Sequence, residues 1–268
     1  MLVIVCDGIG TAKLADDDER SILGAVARRL AESLRHHQWQ VDVARADWPA
    51  SMAGVGGPMS WANAAHLGLM SVDHLLRVNP SEQAVLLGYS GGCRVVHDWV
   101  DTRHQDRHRI AAVGLLSDPY RPASRWQHRV PDPDGWGICG QRVGHLPHDT
   151  LWSSHPDDVI SSCPPDSPLR TLADLSDRIP GGFLDDFIGH MRLGDWQLAT
   201  YMGMWRRDPI GYLNNLVPRM RAARRGVDGY LNGSHTTAYV RPFDSHDGDM
   251  RSLADRLADS LSWKVRNP

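Results

Sequence analysis

No apolar run in this 268-residue chain is long enough to cross a bilayer, which excludes a helical membrane anchor. The opening Met1-Leu2-Val3-Ile4-Val5-Cys6 is too short for a signal peptide and lacks its basic lead, so it is expected to be the first strand of the fold. Cysteine is scarce. The four residues, Cys6, Cys93, Cys139 and Cys163, form no C-x-x-C pair, which removes zinc ribbons and dithiol redox motifs. A Cys139–Cys163 bridge stays open on sequence grounds. Basic excess is also missing. A formal charge of -3 leaves no concentrated cationic surface for nucleic acid, and the densest basic stretch, Arg219 to Arg225, reads as the solvated face of one helix. There is no H-E-x-x-H spacing. His145, His148, His155 and Asp157 match no metal-binding pattern and are read as polar loop residues, so no metal or other cofactor is expected. Gly8-Ile9-Gly10 follows a strand, but Lys13 stands where a dinucleotide fingerprint needs its third glycine, and no acid ends the next strand at Val43-Ala44-Arg45.

What the chain does have is an alternation of strand and helix signals. Leu2 to Cys6 is a continuous apolar run, as a central parallel strand buried on both faces requires. Ser21 to Leu34 is amphipathic, with Ile22, Ala25, Val26, Leu30 and Leu34 on one stripe. Val41 and Val43 mark a second strand, closed by Asp47-Trp48-Pro49. Ser60 to Leu76 reads as a helix with Ser60 at its N-cap. Further strands are expected at Ala84 to Tyr89, Ile110 to Leu116 and Asp158 to Cys163. The pattern predicts one α/β domain over 1–268: a doubly wound, mainly parallel sheet whose sites lie beyond the carboxyl ends of its strands. Two stretches break it. Pro119 to His148 is a long aperiodic loop rich in Pro, Gly, Arg and His. Residues 180–225 are helical in character and loaded with large apolar side chains, among them Trp196, Tyr201, Met204 and Trp205; they read as a helical insertion over the strand ends or as ordinary sheet-covering helices.

The densest chemical signal is Gly88-Tyr89-Ser90-Gly91-Gly92, directly after Ala84-Val85-Leu86-Leu87. It fits G-x-S-x-G, in which a buried strand turns sharply into a helix and lifts a serine hydroxyl into the open. The bland alternative is a Gly-rich turn with an incidental serine. A serine alcohol is a weak nucleophile until a base takes its proton and an acid orients that base. On sheets of this kind the order along the chain is Ser, then Asp or Glu, then His. Asp166 fits the acid, in a Pro-Pro-Asp turn after the expected strand 159–163. It could instead cap a helix starting near Pro168. Asp157 and Asp158 are rivals placed before that strand. His235, in the polar loop Asn232 to Thr237, fits the base ahead of His246. The oxyanion donors are expected to be the amide of Gly91 and one from the first loop, at Ile9.

Together these residues resemble the cutinase-like serine esterases, most of all the phage lysin B enzymes. The matching elements are Gly8-Ile9-Gly10, Asp47-Trp48-Pro49-Ala50-Ser51, the elbow at Ser90, Asp118-Pro119, Asp166 in its Cys-Pro-Pro-Asp turn, and Ser234-His235-Thr236-Thr237-Ala238-Tyr239. Two positions depart: Gly91 stands where cutinase-type elbows usually carry Gln, and Asp7 where the lysins often carry His. The resemblance implies an α/β-hydrolase fold with a helical segment between acid and base, and Ser90, Asp166 and His235 as the triad. It implies hydrolysis of the ester between mycolic acids and arabinogalactan, by a product made in the host cytoplasm and acting at the host envelope. It also implies a lipid ester as partner. A general cutinase-type esterase and a non-catalytic wall-binding relative are the competing expectations.

Overall fold

The computed structural model describes residues 1–10, 21–52, 54–127, 129–167, 169–170, 209–244 and 248–268. Five strands, β1 (Leu2–Cys6), β2 (Asp42–Arg45), β3 (Ala84–Tyr89), β4 (Ile110–Leu116) and β5 (Leu151–Ser153), form one sheet in the order β2-β1-β3-β4-β5. Every neighbouring pair is parallel. The described helices are α1 (Ile22–His36), α2 (Trp61–Val78), α3 (Gly92–Thr102), α4 (Pro209–Leu231) and α5 (Leu253–Arg266). None of them is long and apolar enough to cross a membrane.

Successive side chains of a strand point to opposite faces, so the buried strands feed two cores. Leu2, Ile4 and Cys6 of β1 pack with Ala64, Leu69 and Val72 of α2 and Val96 and Trp99 of α3 on one face. Val3 and Val5 pack with Leu23, Val26 and Leu30 of α1 and Leu257 and Leu261 of α5 on the other. This is the doubly wound parallel α/β sheet that the sequence predicts. The helix starts were legible too: Ser21 and Ser60 accept from the amides of Gly24 and Asn63, at 3.1 and 3.4 Å, as N-caps.

The sequence misleads at the fifth strand. Residues 158–163, expected to be extended, form tight turns in which the amides of Ser161 and Ser162 return to the carbonyl of Asp158. The strand beside β4 is the three-residue Leu151–Ser153 instead. Residues 119–148 are the long irregular segment expected. It is tied down by Arg121, a fully buried guanidinium that donates to the carbonyls of Ser161, Pro122, Arg125 and Gly135. All four cysteines are free thiols. Of the helical segment expected at 180–225, residues 180–208 lie outside the described residues; the remainder belongs to α4. There Arg221, Arg224 and Arg225 are exposed, as a solvated helix face should be.

Candidate active site

β3 delivers Ser90 into a left-handed backbone conformation, φ 51°, and α3 starts two residues later. That reversal requires glycine where strand and helix meet. A Cβ on Gly92 would lie 2.0 Å from the carbonyl oxygen of Cys6, and one on Gly88 would lie 2.8 Å from the Cα of Cys93. The amide of Ser90 is held by the carbonyl of Leu116 at 3.0 Å, which fixes the turn against β4.

His235 follows α4, where the amide of Ser234 returns to the carbonyl of Gly229 at 3.0 Å and Gly233 adopts φ 93°. The phenol of Tyr89 donates to the carbonyl of His235. The imidazole lies near-parallel to the rings of Tyr89 and Tyr230, at centroid distances of 5.3 and 5.0 Å. Its Nε2 is 2.9 Å from Ser90 Oγ. Its Nδ1 is 3.2 and 3.3 Å from the two carboxylate oxygens of Asp158. Ser90 and His235 are thus within hydrogen-bond distance of each other.

The carboxylate beside His235 is not that of Asp166. Asp166 is exposed on its turn, and the carboxylate at hydrogen-bond distance from His235 is that of Asp158. The cause is the misplaced strand. With β5 ending at Ser153, Asp158 lies past the carboxyl end of the sheet rather than before it. Asp158 is fully buried. It accepts from the Tyr239 hydroxyl at 2.7 Å, from the Ile160 amide at 3.1 Å, and from the Ser117 hydroxyl. Burial alone would raise its pKa, but the charge and hydrogen bond of His235, with the two hydroxyls, outweigh that and hold it below the ordinary carboxylate value. Ser117 and Tyr239 were invisible to spacing arguments, although Tyr239 lies within the Ser234–Tyr239 segment that carried the resemblance. Asp157 is exposed, and His246 lies outside the described residues.

Asp118, one residue past Ser117, is also fully buried, but it serves a different network. It accepts from Trp152 Nε1 at 2.9 Å and the Tyr120 amide at 2.9 Å, and lies 3.0 Å from His97 Nε2. In the first loop, Asp7 is engaged by Ser21 and Arg45, so the residue ending β2 is the partner of an internal carboxylate. The amide of Gly10 is taken up by the carbonyl of Ala50 at 2.8 Å. The Ile9 side chain lies over Gly91, leaving no space for a Cβ there, which brings the first loop and the elbow into contact. Among the described residues, no cluster of His, Cys, Asp and Glu could hold a metal ion. His145 pairs with Asp101 and stacks on His104, while His155 lies against Tyr239 and Phe243.

No protein-family model matches the chain, and no curated protein matches it. Solved structures similar to it include lysin B from Mycobacteriophage D29, at 20% identity and TM-score 0.45 over 62% of this chain and 67% of that one. A cutinase-like protein from Cryptococcus sp. aligns at 14% identity and TM-score 0.44, over 60% and 78% of the respective chains. Trichoderma reesei cutinase, in complex with a phosphonate inhibitor, aligns at 22% and 0.44, over 66% and 71%.

Proposed function

We propose that the protein is a serine carboxylic ester hydrolase in which Ser90 is the nucleophile, His235 the general base and Asp158 the acid that orients it. The observation carrying this reading is the continuous hydrogen-bonded line from Ser90 Oγ through His235 Nε2 and Nδ1 to the buried Asp158 carboxylate. His235 takes the hydroxyl proton as Ser90 adds to the ester carbonyl, then returns it to the leaving alcohol. Water, activated by the same imidazole, hydrolyses the acyl-enzyme. Asp158 is among the acceptors facing Nδ1 that keep the proton there, so that Nε2 presents its lone pair to Ser90. The amides of Gly91 and Ile9 are assigned to the developing oxyanion, and losing one such donor costs about a hundredfold or more in rate.

The finer reading is cleavage of the mycolyl ester of the host envelope, in the manner of lysin B, by a protein reaching that envelope from the cytoplasm of an infected host. Its support is the set of sequence segments from Gly8 to Tyr239 given above, together with the large apolar side chains that the sequence carries between residues 180 and 225. Cutinase-type action on lipid esters is the alternative, and activity on mycolyl-arabinogalactan against triglyceride separates the two.

The test of the esterase is covalent. A fluorophosphonate should modify one site per chain, at Ser90. Ser90→Ala should abolish labelling and lower p-nitrophenyl butyrate hydrolysis by about three orders of magnitude or more. A folded wild-type protein that refuses the probe and leaves the ester intact would be a non-catalytic relative.

A further inference from the structure

The geometry points to Ser117 as a positioning residue of this site: its hydroxyl stands between the imidazole of His235 and the carboxylate of Asp158 and sets the tautomer of the base. The inference rests on the reading of Ser90, His235 and Asp158 given above. The single proton on His235 Nδ1 faces three oxygens. Ser117 Oγ is the nearest, at 2.9 Å, ahead of Asp158 Oδ1 at 3.2 Å and Oδ2 at 3.3 Å. An N–H···O contact weakens beyond about 3.2 Å, so the hydroxyl takes the larger share of that proton. A serine hydroxyl can accept and donate at once. Its own proton points to Asp158 Oδ2, giving the order Nδ1–H to Oγ–H to Oδ2. No proton has to change owner for this to work; the imidazolium formed during attack is stabilised through the hydroxyl as well as directly by the carboxylate.

The backbone supports the same conclusion. Ser117 follows β4 directly, is fully buried, and has its amide fixed to the carbonyl of Ser153 at 2.9 Å. Its φ is 53°, a left-handed conformation that strains any side-chain-bearing residue and that glycine adopts freely. What serine supplies at this strained seat, and glycine would not, is the hydroxyl. Asp158 has further donors in Tyr239 and the Ile160 amide, so the carboxylate stays satisfied without Ser117. The imidazole has no comparable substitute: its only other Nδ1 acceptors among the described residues are the two longer Asp158 contacts.

Ser117→Ala and Ser117→Gly separate the hydroxyl from the backbone, since glycine relieves the φ strain and alanine retains it. With p-nitrophenyl butyrate, both variants should fold, keep KM within about twofold and lose kcat by about 10- to 100-fold, by analogy with the loss when a partner that orients a metal-ligating histidine is removed. Fluorophosphonate labelling of Ser90 should slow by a similar factor. The wild type should show a low-field proton resonance for His235 Nδ1–H, and that resonance should shift in both variants alike. A kcat within twofold of wild type in either variant, an unmoved resonance, or loss of the fold in both would overturn the assignment. Wild-type protein that is not labelled at all would instead refute the esterase reading itself.

Discussion

A carboxylate that is fully buried and still ionised has to be supported from several sides, because removing a charge from water costs several kcal/mol before any partner is counted. Asp158 has that support: an imidazole, three hydroxyls and a backbone amide converge on its two oxygens. Asp166 is exposed on its turn, and the carboxylate within hydrogen-bond distance of His235 is that of Asp158. Asp118 is as buried as Asp158, but its oxygens are taken by Trp152, Tyr120 and His97. The three aspartates are the same residue type within a short stretch of chain, and the sequence names their order without naming their surroundings. Ser90 and His235 were legible because glycines announce the elbow and a polar glycine loop precedes the last helix. Ser117 and Tyr239 were not, since a lone serine after a strand and a lone tyrosine in a turn carry no periodic signal.

At the scale of elements, long strands and amphipathic helices could be read from pattern alone. β1, β3 and β4 are nearly unbroken apolar runs, and α1, α2 and α5 present one buried stripe each. β5 could not be read. Three residues, Leu151-Trp152-Ser153, are too few to show a period, whereas Val159-Ile160 imitates a strand by composition while its backbone turns. Moving one strand by a few residues reversed which end of the sheet Asp158 occupies, and so which aspartate the site receives. The elbow itself is a junction of elements with no spare room. Gly92→Ala places its methyl against the carbonyls of Cys6 and Asp7 and should destabilise the fold by roughly 3 kcal/mol, at the upper end of overpacking costs. Urea unfolding measures it, and a loss under about 1 kcal/mol would show that β1 and α3 can part cheaply.

For the whole molecule, two groups, the half-buried His155 and the buried Asp158, tie stability to pH with the same sign. His155 is held below its ordinary value of 6.5 by burial, and its Nδ1 accepts from the Asp157 amide, so it is folded in its neutral form. Its contribution is complete above pH 6.5 and is lost as the pH falls through its depressed value. Asp158 is held below 3.8, so its contribution is complete above pH 3.8 and is lost on further acidification. Thermal unfolding should therefore move to lower temperature in two acid steps. His155→Gln should flatten the upper one, and an unchanged slope in that variant would remove His155 from the account. The doubly wound sheet places the residues of both effects beyond the same strand ends, so acid weakens the molecule around the proposed site.

The central claim is that Asp158, and not Asp166, completes the catalytic line from Ser90 through His235. Steady-state hydrolysis of p-nitrophenyl butyrate by Asp158→Asn and Asp166→Asn, each verified as folded, tests it directly. Asp158→Asn should lower kcat by about three to four orders of magnitude, as expected when the imidazole loses its orienting carboxylate, while Asp166→Asn stays within about twofold of wild type. A severe loss at Asp166 with a mild one at Asp158 would contradict the account.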